Sequence, residues 1–430
     1  MKVLVLGGYG LIGSSIVRRL IADGHAVTGL GRSAAKGVRV SSQAKWVSAD
    51  LTHLTKAADW ADLVSDTDIV INAAGLLQNG LTDRVSTVQT DSICAVIDAC
   101  KLAGIKKFIQ ISAPGVSEES STEFYRSKAH ADAYLKDSGL AYLIFRPGLV
   151  ISPHAYGGTS LVRMLAAFPL VQPVTHANTL IQTVSVSDVA NAVSMAVSET
   201  SLTGDFDLVA KDTLSLEAVI LSFRSWLGFG QPIATLKLPV WLGNVVAVFA
   251  DLSGWLGWRS ALRSTAMKVL TDGVTGNAGT WRAASGEDLQ SLDETLASIP
   301  STAQERLYAR GILVYPVLLI IFAMFWVVSG IIGFWQFEAA YSVIDASVPP
   351  VFGKLFVLGG SVADILIGLA LLFRPWTQKA AIAAILLSLG YIVGSMVTSP
   401  HLWVDPLGPM VKVFPAIALG LAIAALTPSR

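Results

Sequence analysis

Three glycines at fixed spacing are the residues near the start of this 430-residue chain that point most directly to chemistry. Gly7, Gly10 and Gly13 stand in Gly7-Gly8-Tyr9-Gly10-Leu11-Ile12-Gly13, directly after the apolar run Val3, Leu4, Val5, Leu6. Glycines so spaced let a turn close, let its backbone approach a pyrophosphate, and let the next helix pack on the strand, with phosphate at the helix N-terminus beside Leu11 and Ile12. Arg32 and Ser33 follow a second apolar segment, where a site selecting NAD would carry an acidic residue for the ribose 2′-hydroxyl. A cation beside a hydroxyl suits a 2′-phosphate, so NADP(H) is favoured over NAD(H). The plainer alternatives are a glycine turn that only packs and a solvated surface arginine.

Other reactive residue types are sparse. His130, His154 and His176 are isolated, and no convergent set of three or four ligands is visible, so no metal is expected. Cys94 and Cys100 are the only cysteines and cannot build a disulfide framework, which points to a reduced compartment. Lysine and arginine (31) balance aspartate and glutamate (31), so no basic field exists for nucleic acid. Met1 and Lys2 run straight into a four-residue apolar stretch, too short for a signal-peptide core, and no cleavable leader is expected.

The elements that must position the glycines follow from the pattern. Strand, glycine turn, helix over 14–22, Gly24 as helix stop and strand at 25–30 fit within about 30 residues, the context such a motif needs. Strand and helix signals then alternate through 46–48, 69–72, 88–102, 107–112, 127–135 and 142–145. This alternation predicts an α/β fold, a Rossmann-type doubly wound parallel sheet.

At this point the chain resembles the short-chain dehydrogenase/reductase superfamily, in its extended or atypical branch. The resemblance rests on Gly7-x-x-Gly10-x-x-Gly13, Asp50-Leu51, Asn72-Ala73-Ala74-Gly75, Ser127-Lys128 and Arg146-Pro147-Gly148, and covers roughly residues 1–210. It implies that Asp50, Leu51, Ala73, Ala74, Gly75, Lys128 and Pro147 join the glycines and Arg32 around the cofactor. It also implies a catalytic tyrosine four residues before the lysine, but that position is Phe124, and Tyr125 is one step off register. The family's serine falls on Ala113, with Ser112 before it, and its supporting asparagine falls on Gln89. Tyr125, Ser112 and Lys128 are therefore the catalytic candidates that remain, with Lys128 retaining a ribose-binding role. Atypical members with this pattern resemble the nucleotide-binding accessory subunit of complex I, which implies a structural or regulatory NADPH.

The rest of the chain is of another kind. Hydrophobic residues make up 53% of the sequence, charged residues only 14%, and mean hydropathy is +0.58, which requires lipid exposure. Only nine charged residues follow Arg310. Stretches 312–334, 351–373, 380–398 and 406–426 each approach the roughly 20 apolar residues that cross a bilayer, predicting an all-α bundle of four spans. Arg306, Arg310, Arg374, Lys379 and Arg430 flank one side, and Glu338, Asp345 and Asp405 the other, placing both termini and the nucleotide domain in the cytoplasm of a cell whose inner membrane is crossed. Asp364 and Lys412 lie inside spans running in the same direction and are expected to approach each other; the alternative is that Lys412 snorkels alone. This tail, over 307–428, resembles the DoxX-like family, especially in Trp403-x-Asp405-Pro406-Leu407-Gly408-Pro409. Some DoxX relatives are linked to quinone-dependent redox chemistry, which the resemblance adds to the options.

Between the two parts, residues 238–258 carry Trp241, Val245, Val248, Leu252 and Trp255 at helical spacing with Asp251 as the single charge, which reads either as a helix lying on the membrane or as a core helix. Residues 272–301 read as a polar connector with a short helix over 289–297. The expected domains are therefore 1–235, an NAD(P)-binding Rossmann domain with substrate-side elements; 236–306, interfacial helix and connector; and 307–430, the membrane domain. Two functions are consistent with this layout. One is a membrane-bound NAD(P)-dependent oxidoreductase or epimerase whose lipophilic substrate, a quinone or lipid, enters from the bilayer. The other is a non-catalytic module in which bound NADP(H) stabilises the domain or reports redox state while the bundle scaffolds membrane-protein partners.

Overall fold

A computed structural model of the chain describes residues 1–80, 84–258, 260, 262–344 and 348–427. The loop charges Asp345 and Arg430, used above for orientation, lie outside the described residues. The chain forms two compact units, Met1–Leu252 with Ser260–Arg306 and Ser253–Arg259 with Leu307–Arg430.

The first unit runs β1 (Lys2–Leu6), α1 (Leu11–Ala22), β2 (Ala26–Gly31), α2 (Ala34–Val40), β3 (Lys45–Ser48), α3 (Ala57–Val64), β4 (Ile69–Asn72), α4 (Ser92–Ala103), β5 (Lys107–Ile111), α5 (Glu123–Asp137) and β6 (Tyr142–Pro147). It continues through β7 (Leu149–Ile151), α6 (Gly157–Ala166), β8 (Val171–Val174), β9 (Leu180–Ile181), β10 (Thr183–Ser185), α7 (Val186–Ser198), β11 (Gly204–Leu208), β12 (Leu214–Ser215), α8 (Leu216–Trp226), β13 (Ala234–Lys237), α9 (Val240–Trp255), α10 (Ser264–Asp272), α11 (Ala278–Ser285) and α12 (Leu292–Ser298).

Seven strands form one sheet in the order β11-β6-β5-β4-β1-β2-β3, and every pairing in it is parallel. The strands are apolar on both faces because helices cover both. Val3 and Val5 of β1 face one core with Ile16, Val17 and Leu20 of α1 and Val189 and Val193 of α7. Leu4 and Leu6 face the other, with Trp60 of α3, Val96 of α4 and Leu135 of α5. Each such aliphatic side chain contributes about 1.5–3 kcal/mol on burial, so the alternation along one strand holds three layers together. Strand order reverses between β1 and β4, which opens a crevice at their carboxyl ends.

The segment 272–301 does more than connect. It forms α11 and α12, and Trp281 is driven into the first core, edge-on to Phe145 at 5.5 Å and Phe206 at 5.7 Å. Its polar composition hid this, because the buried hydrophobic side chains, Trp281 of α11 and Leu292 and Leu296 of α12, are few and spaced among polar ones.

In the second unit, α13 (Ala303–Trp335), whose first four residues belong to the first unit, is followed by α14 (Phe337–Ser342), α15 (Pro350–Leu372), α16 (Thr377–Thr398) and α17 (Val413–Leu426). Three of these, α13, α15 and α16, are long and apolar enough to cross a membrane. Glycines let them touch: a Cβ at Gly330 would lie 2.5 Å from Ser361 O, and one at Gly368 would lie 2.8 Å from Ala323 O. The expected fourth span, 406–426, is helical only over the 14 residues of α17. These rise about 21 Å, short of a hydrocarbon core of about 30 Å. Pro406, Pro409 and Gly408, with its left-handed φ of +59°, hold the first part in turns.

Candidate nucleotide site

The chain leaves β1 through Gly7, whose φ of +69° is left-handed and where a Cβ would meet the Ala74 backbone at 2.9 Å. Gly10 N donates to Gly7 O at 2.8 Å, and Gly10 opens α1 in extended conformation. At Gly13 a Cβ would lie 2.2 Å from Gly7 O, so no other residue lets α1 pack this close to the turn. The first turn of α1, beginning with Leu11 and Ile12, holds no acidic residue, which leaves its orphan N–H groups available to an anion.

Across the crevice, Asn72 shapes the facing loop. Its Nδ2 donates to Gln110 Oε1 at 2.9 Å and its Oδ1 accepts from Ala74 N at 3.0 Å, while Ala73 N donates to Leu6 O at 3.1 Å. Ala73, Ala74 and Gly75 are thereby folded against the end of β1. Arg32 is exposed just beyond β2, and Ser33 caps α2 by accepting from Lys36 N at 3.4 Å. Asp50 accepts from Thr52 N at 3.0 Å and Thr52 Oγ1 at 2.9 Å. Partial burial would raise its carboxyl, but the Thr52 donors and the Arg32 and His53 charges hold it below the ordinary value. Leu51 is buried and packs into the second core. Gly31 admits the Tyr9 ring, since a Cβ there would lie 2.3 Å from it.

The other half of the site comes from α5, which starts at its cap Thr122, so Phe124, Tyr125 and Lys128 share one helix. Lys128 is buried; its Nζ donates to Ile111 O at 2.9 Å and lies 5.7 Å from the centroid of the Phe124 ring. Burial pulls its pKa down to about 8, with Asp132 pulling the other way. A Cβ on Gly75 would lie 3.9 Å from Lys128 Nζ and 3.6 Å from Gln89 Oε1. Gln89 sits in a π-helical turn, Thr87–Asp91, donates to Leu76 O at 2.7 Å, and its buried Oε1 has no hydrogen-bond partner among the described residues. The structure therefore brings together Gly75, Gln89 and Lys128 at the mouth of the crevice.

Ser112 and Tyr125 are placed otherwise. Ser112 Oγ donates to the buried carboxylate of Asp132 at 2.7 Å, and Arg146 lies 3.6 Å from the same oxygen and 2.7 Å from Asp205. Burial raises the Asp132 pKa against the pull of Ser112, Lys128 and Arg146. Tyr125 lines a cavity of about 280 Å³ between the loop that holds Pro114, Ser117 and Ser120 and the segment with Asp272 and Thr275. Burial, then Asp272, pushes its phenol up to about 12. Pro147 ends β6, buried in register with Leu208. Sequence reasoning missed Asp132, whose spacing of four from Lys128 was the available signal, and the segment around Asp272, for which no local pattern existed. Among the described residues no three His, Cys, Asp or Glu side chains gather as metal ligands. Burial raises Cys94 to about 11 and Cys100 to about 12, so neither is an activated thiol.

The profile of an NAD(P)H-binding family matches residues 7–199. The UPF0659 protein YMR090W of Saccharomyces cerevisiae is 31% identical over 180 residues, 38% of this chain and 75% of the yeast protein. The chain belongs to the NAD(P)H-binding short-chain dehydrogenase/reductase-like family. The profile of the DoxX-like family matches residues 323–421, so a nucleotide-binding domain is followed by a DoxX-like membrane domain. Two solved structures share the fold of this NAD(P)H-binding protein. WbmG of Bordetella bronchiseptica, in complex with NAD, superposes with a TM-score of 0.52 at 15% identity over 69% of this chain and 92% of its own. Triphenylmethane reductase of Citrobacter sp., complexed with NADP(H), superposes with a TM-score of 0.53 at 13% identity over 69% and 99%.

The residues present fit a dinucleotide. The Gly7, Gly10 and Gly13 cradle is one that a Cβ would fill, and the orphaned Gln89 Oε1 beside Lys128 waits for a donor. The pairing of Asp364 with Lys412 is not formed. Asp364 accepts from Tyr391 Oη at 2.7 Å and is also hydrogen-bonded by Ser329, whereas Lys412 is exposed in the turn before α17. Shortening of the fourth span is the reason, since it leaves Lys412 outside the helix.

Proposed function

We propose that this is a membrane-anchored oxidoreductase or epimerase of the atypical short-chain branch, using NADP(H) and acting on a lipophilic substrate with a carbonyl or hydroxyl head, a quinone or a lipid. The observation that carries the reading is the retained Lys128 at the cofactor crevice together with Tyr125, three residues before it on the same helix, in the wall of a cavity. Bound NAD(P)H would supply hydride. In this reading Lys128 and Gln89 orient the ribose, and Tyr125 holds the proton. A phenol pushed to about 12 is protonated at ordinary pH, so it serves as donor to a carbonyl being reduced. Ser117, Glu119, Ser120, Asp272 and Thr275 around it suit a hydrogen-bonding head group. Arg32 beside Ser33 supports NADP(H), and orientation with the nucleotide domain in the cytoplasm supports access to it.

A second reading, a non-catalytic NADP(H)-binding module that scaffolds membrane proteins, is favoured by one specific observation. Phe124 occupies the family's tyrosine position and Ser112 is committed to Asp132. The experiment that separates the two uses the full chain in mild detergent. Affinities for NADPH and NADH are measured, and the near-ultraviolet absorbance of bound NADPH is followed with and without a soluble quinone. Quinone-dependent loss of the signal supports the oxidoreductase. Tight binding with an inert cofactor supports the module, and binding of neither nucleotide overturns both.

A further inference from the structure

Helix α9 is inverted with respect to a core helix. Its buried residues are the small ones, Gly243, Ala247 and Ala250, while Trp241, Val245, Val248, Phe249, Leu252 and Trp255 are 43–78% exposed. The small face is what lets α9 sit close to the nucleotide domain, since a Cβ at Gly243 would lie 3.3 Å from Met267 Cε and from Thr175 Cγ2. Asp251, the single charge, is tied down: its Oδ1 accepts from Arg263 Nε at 3.0 Å and from Ser264 N at 3.3 Å. The outward face is therefore apolar and uncharged, far from the composition of a solvated surface.

What covers this face is indicated by where the chain goes next. Residues following α9 are fastened within the second unit: Leu256 O accepts from Arg374 N at 2.9 Å, Trp258 Nε1 donates to Leu372 O at 2.7 Å, and the Arg374 guanidinium lies 5.4 Å from the Trp258 ring centroid. Leu372 ends α15 and Arg374 lies in the turn between α15 and α16, two helices long and apolar enough to cross a membrane. A turn between consecutive spans lies at a membrane surface. Sixteen residues make α9 about 24 Å long, too short to span, and tryptophans near both its ends suit the interfacial layer.

We infer that α9 is an in-plane membrane helix, seated in the bilayer interface next in the chain to the residues fastened at the α15–α16 turn, with lipid covering the face that carries Trp241, Phe249 and Trp255. It is a second point of membrane attachment, distinct from the spans and independent of any catalytic role. The small face packs on Met267 and Thr175, and the large face is the one that lipid covers.

The test places a nitroxide at Phe249→Cys in the full chain, in a Cys94→Ser background, reconstituted in vesicles of phosphatidylcholine and phosphatidylglycerol. Leu102→Cys, at a position 84% exposed, is the aqueous reference. The expected result is a label at 249 that is relaxed strongly by oxygen and weakly by a water-soluble nickel chelate, the reverse of the label at 102. Nickel access at 249 equal to that at 102 would overturn the inference. Shielding from both relaxants, as by a second copy or another protein, would overturn it too. NAD(P)H binding equal to that of the parent shows that the labelled protein is folded, because Phe249 is no part of the nucleotide site.

Discussion

The Lys128 ammonium lies 5.7 Å from the centroid of the Phe124 ring, one helical turn before it on α5, where the family resemblance calls for a phenol. The ring supplies a cation–π contact in place of a hydroxyl, and the backbone carbonyl of Ile111 accepts from the lysine at 2.9 Å. The lysine is thus kept and positioned without its usual catalytic neighbour.

Burial leaves a pH signature. Lys128 falls from 10.5 to about 8, so between these values the unfolded chain binds more protons than the folded one. The cost of burying the ammonium is present in full below about pH 8 and is relieved as pH rises toward 10.5. The apparent stability of the parent relative to Lys128→Met should therefore increase across that window, read by denaturation at matched pH. A difference independent of pH would show that the ammonium is not desolvated. Nucleotide affinity should fall as pH rises through about 8, where the folded chain's lysine loses its proton, and Lys128→Met should abolish that dependence.

Gly13→Ala should abolish nucleotide binding. The new methyl would lie 2.2 Å from Gly7 O, so α1 must move away from the turn and the phosphate-facing amides with it. Gly104→Ala is the contrasting substitution. Gly104 also has a left-handed φ, +68°, but its Cβ meets nothing within 4 Å, so it should cost stability of roughly 1 kcal/mol and leave binding intact. Titration of NAD(P)H into both variants checks the contrast.

Much of this was legible in the chain itself, and the reasons differ by element. The βαβ unit and its glycines were readable because strand, turn and helix are local, with Val3 to Leu6 apolar on both faces. Lys128 was readable from its motif. Asp132 was not singled out, because a lone acidic residue on an amphipathic helix resembles a solvated one until Ser112 and Arg146 arrive from other strands. Residues 272–301 looked like a connector because their few buried hydrophobic residues, Trp281, Leu292, Leu296 and Ile299, are spaced among polar ones. The stripe of α9 was found but not its direction, since periodicity fixes a face and not what the face touches. The fourth apolar stretch, 406–426, was read as longer than the helix it forms, because hydropathy does not register that Pro406, Gly408 and Pro409 hold its first part in turns.

Tyr125→Phe separates the two proposed functions at one atom. If the phenol is the proton donor, NAD(P)H oxidation should drop by about 10²-fold or more while nucleotide affinity stays the same, because Tyr125 faces the cavity beside Asp272. Unchanged turnover would remove it from the mechanism.

Asp132→Asn should be strongly destabilising. Asp132 faces the positive charges of Lys128 and Arg146 in a buried setting and accepts from Ser112. Removing the negative partner of a buried ionic group costs about 3–5 kcal/mol. The apparent thermal midpoint in detergent should fall by several degrees, with Asp205, salt-bridged to Arg146 and Lys136, limiting the loss. A midpoint equal to the parent's would mean that Asp132 is already neutral.

In the membrane domain, coupling should follow the hydrogen bond and not the charge. Asp364 accepts from Tyr391 at 2.7 Å across α15 and α16, and Gly360 leaves room for that phenol, since a Cβ there would lie 2.9 Å from Tyr391 Oη. An unpaired carboxyl among spans is expensive, so losing the hydroxyl should be felt at Asp364. Asp364→Asn and Tyr391→Phe should therefore show a coupling energy of about 0.5–3 kcal/mol in a double-mutant cycle. Asp364→Asn and Lys412→Met should add, because Lys412 is exposed before α17. Unfolding in detergent measures both cycles on the same protein, and coupling in the second without the first would restore the ion pair that the charges alone suggest.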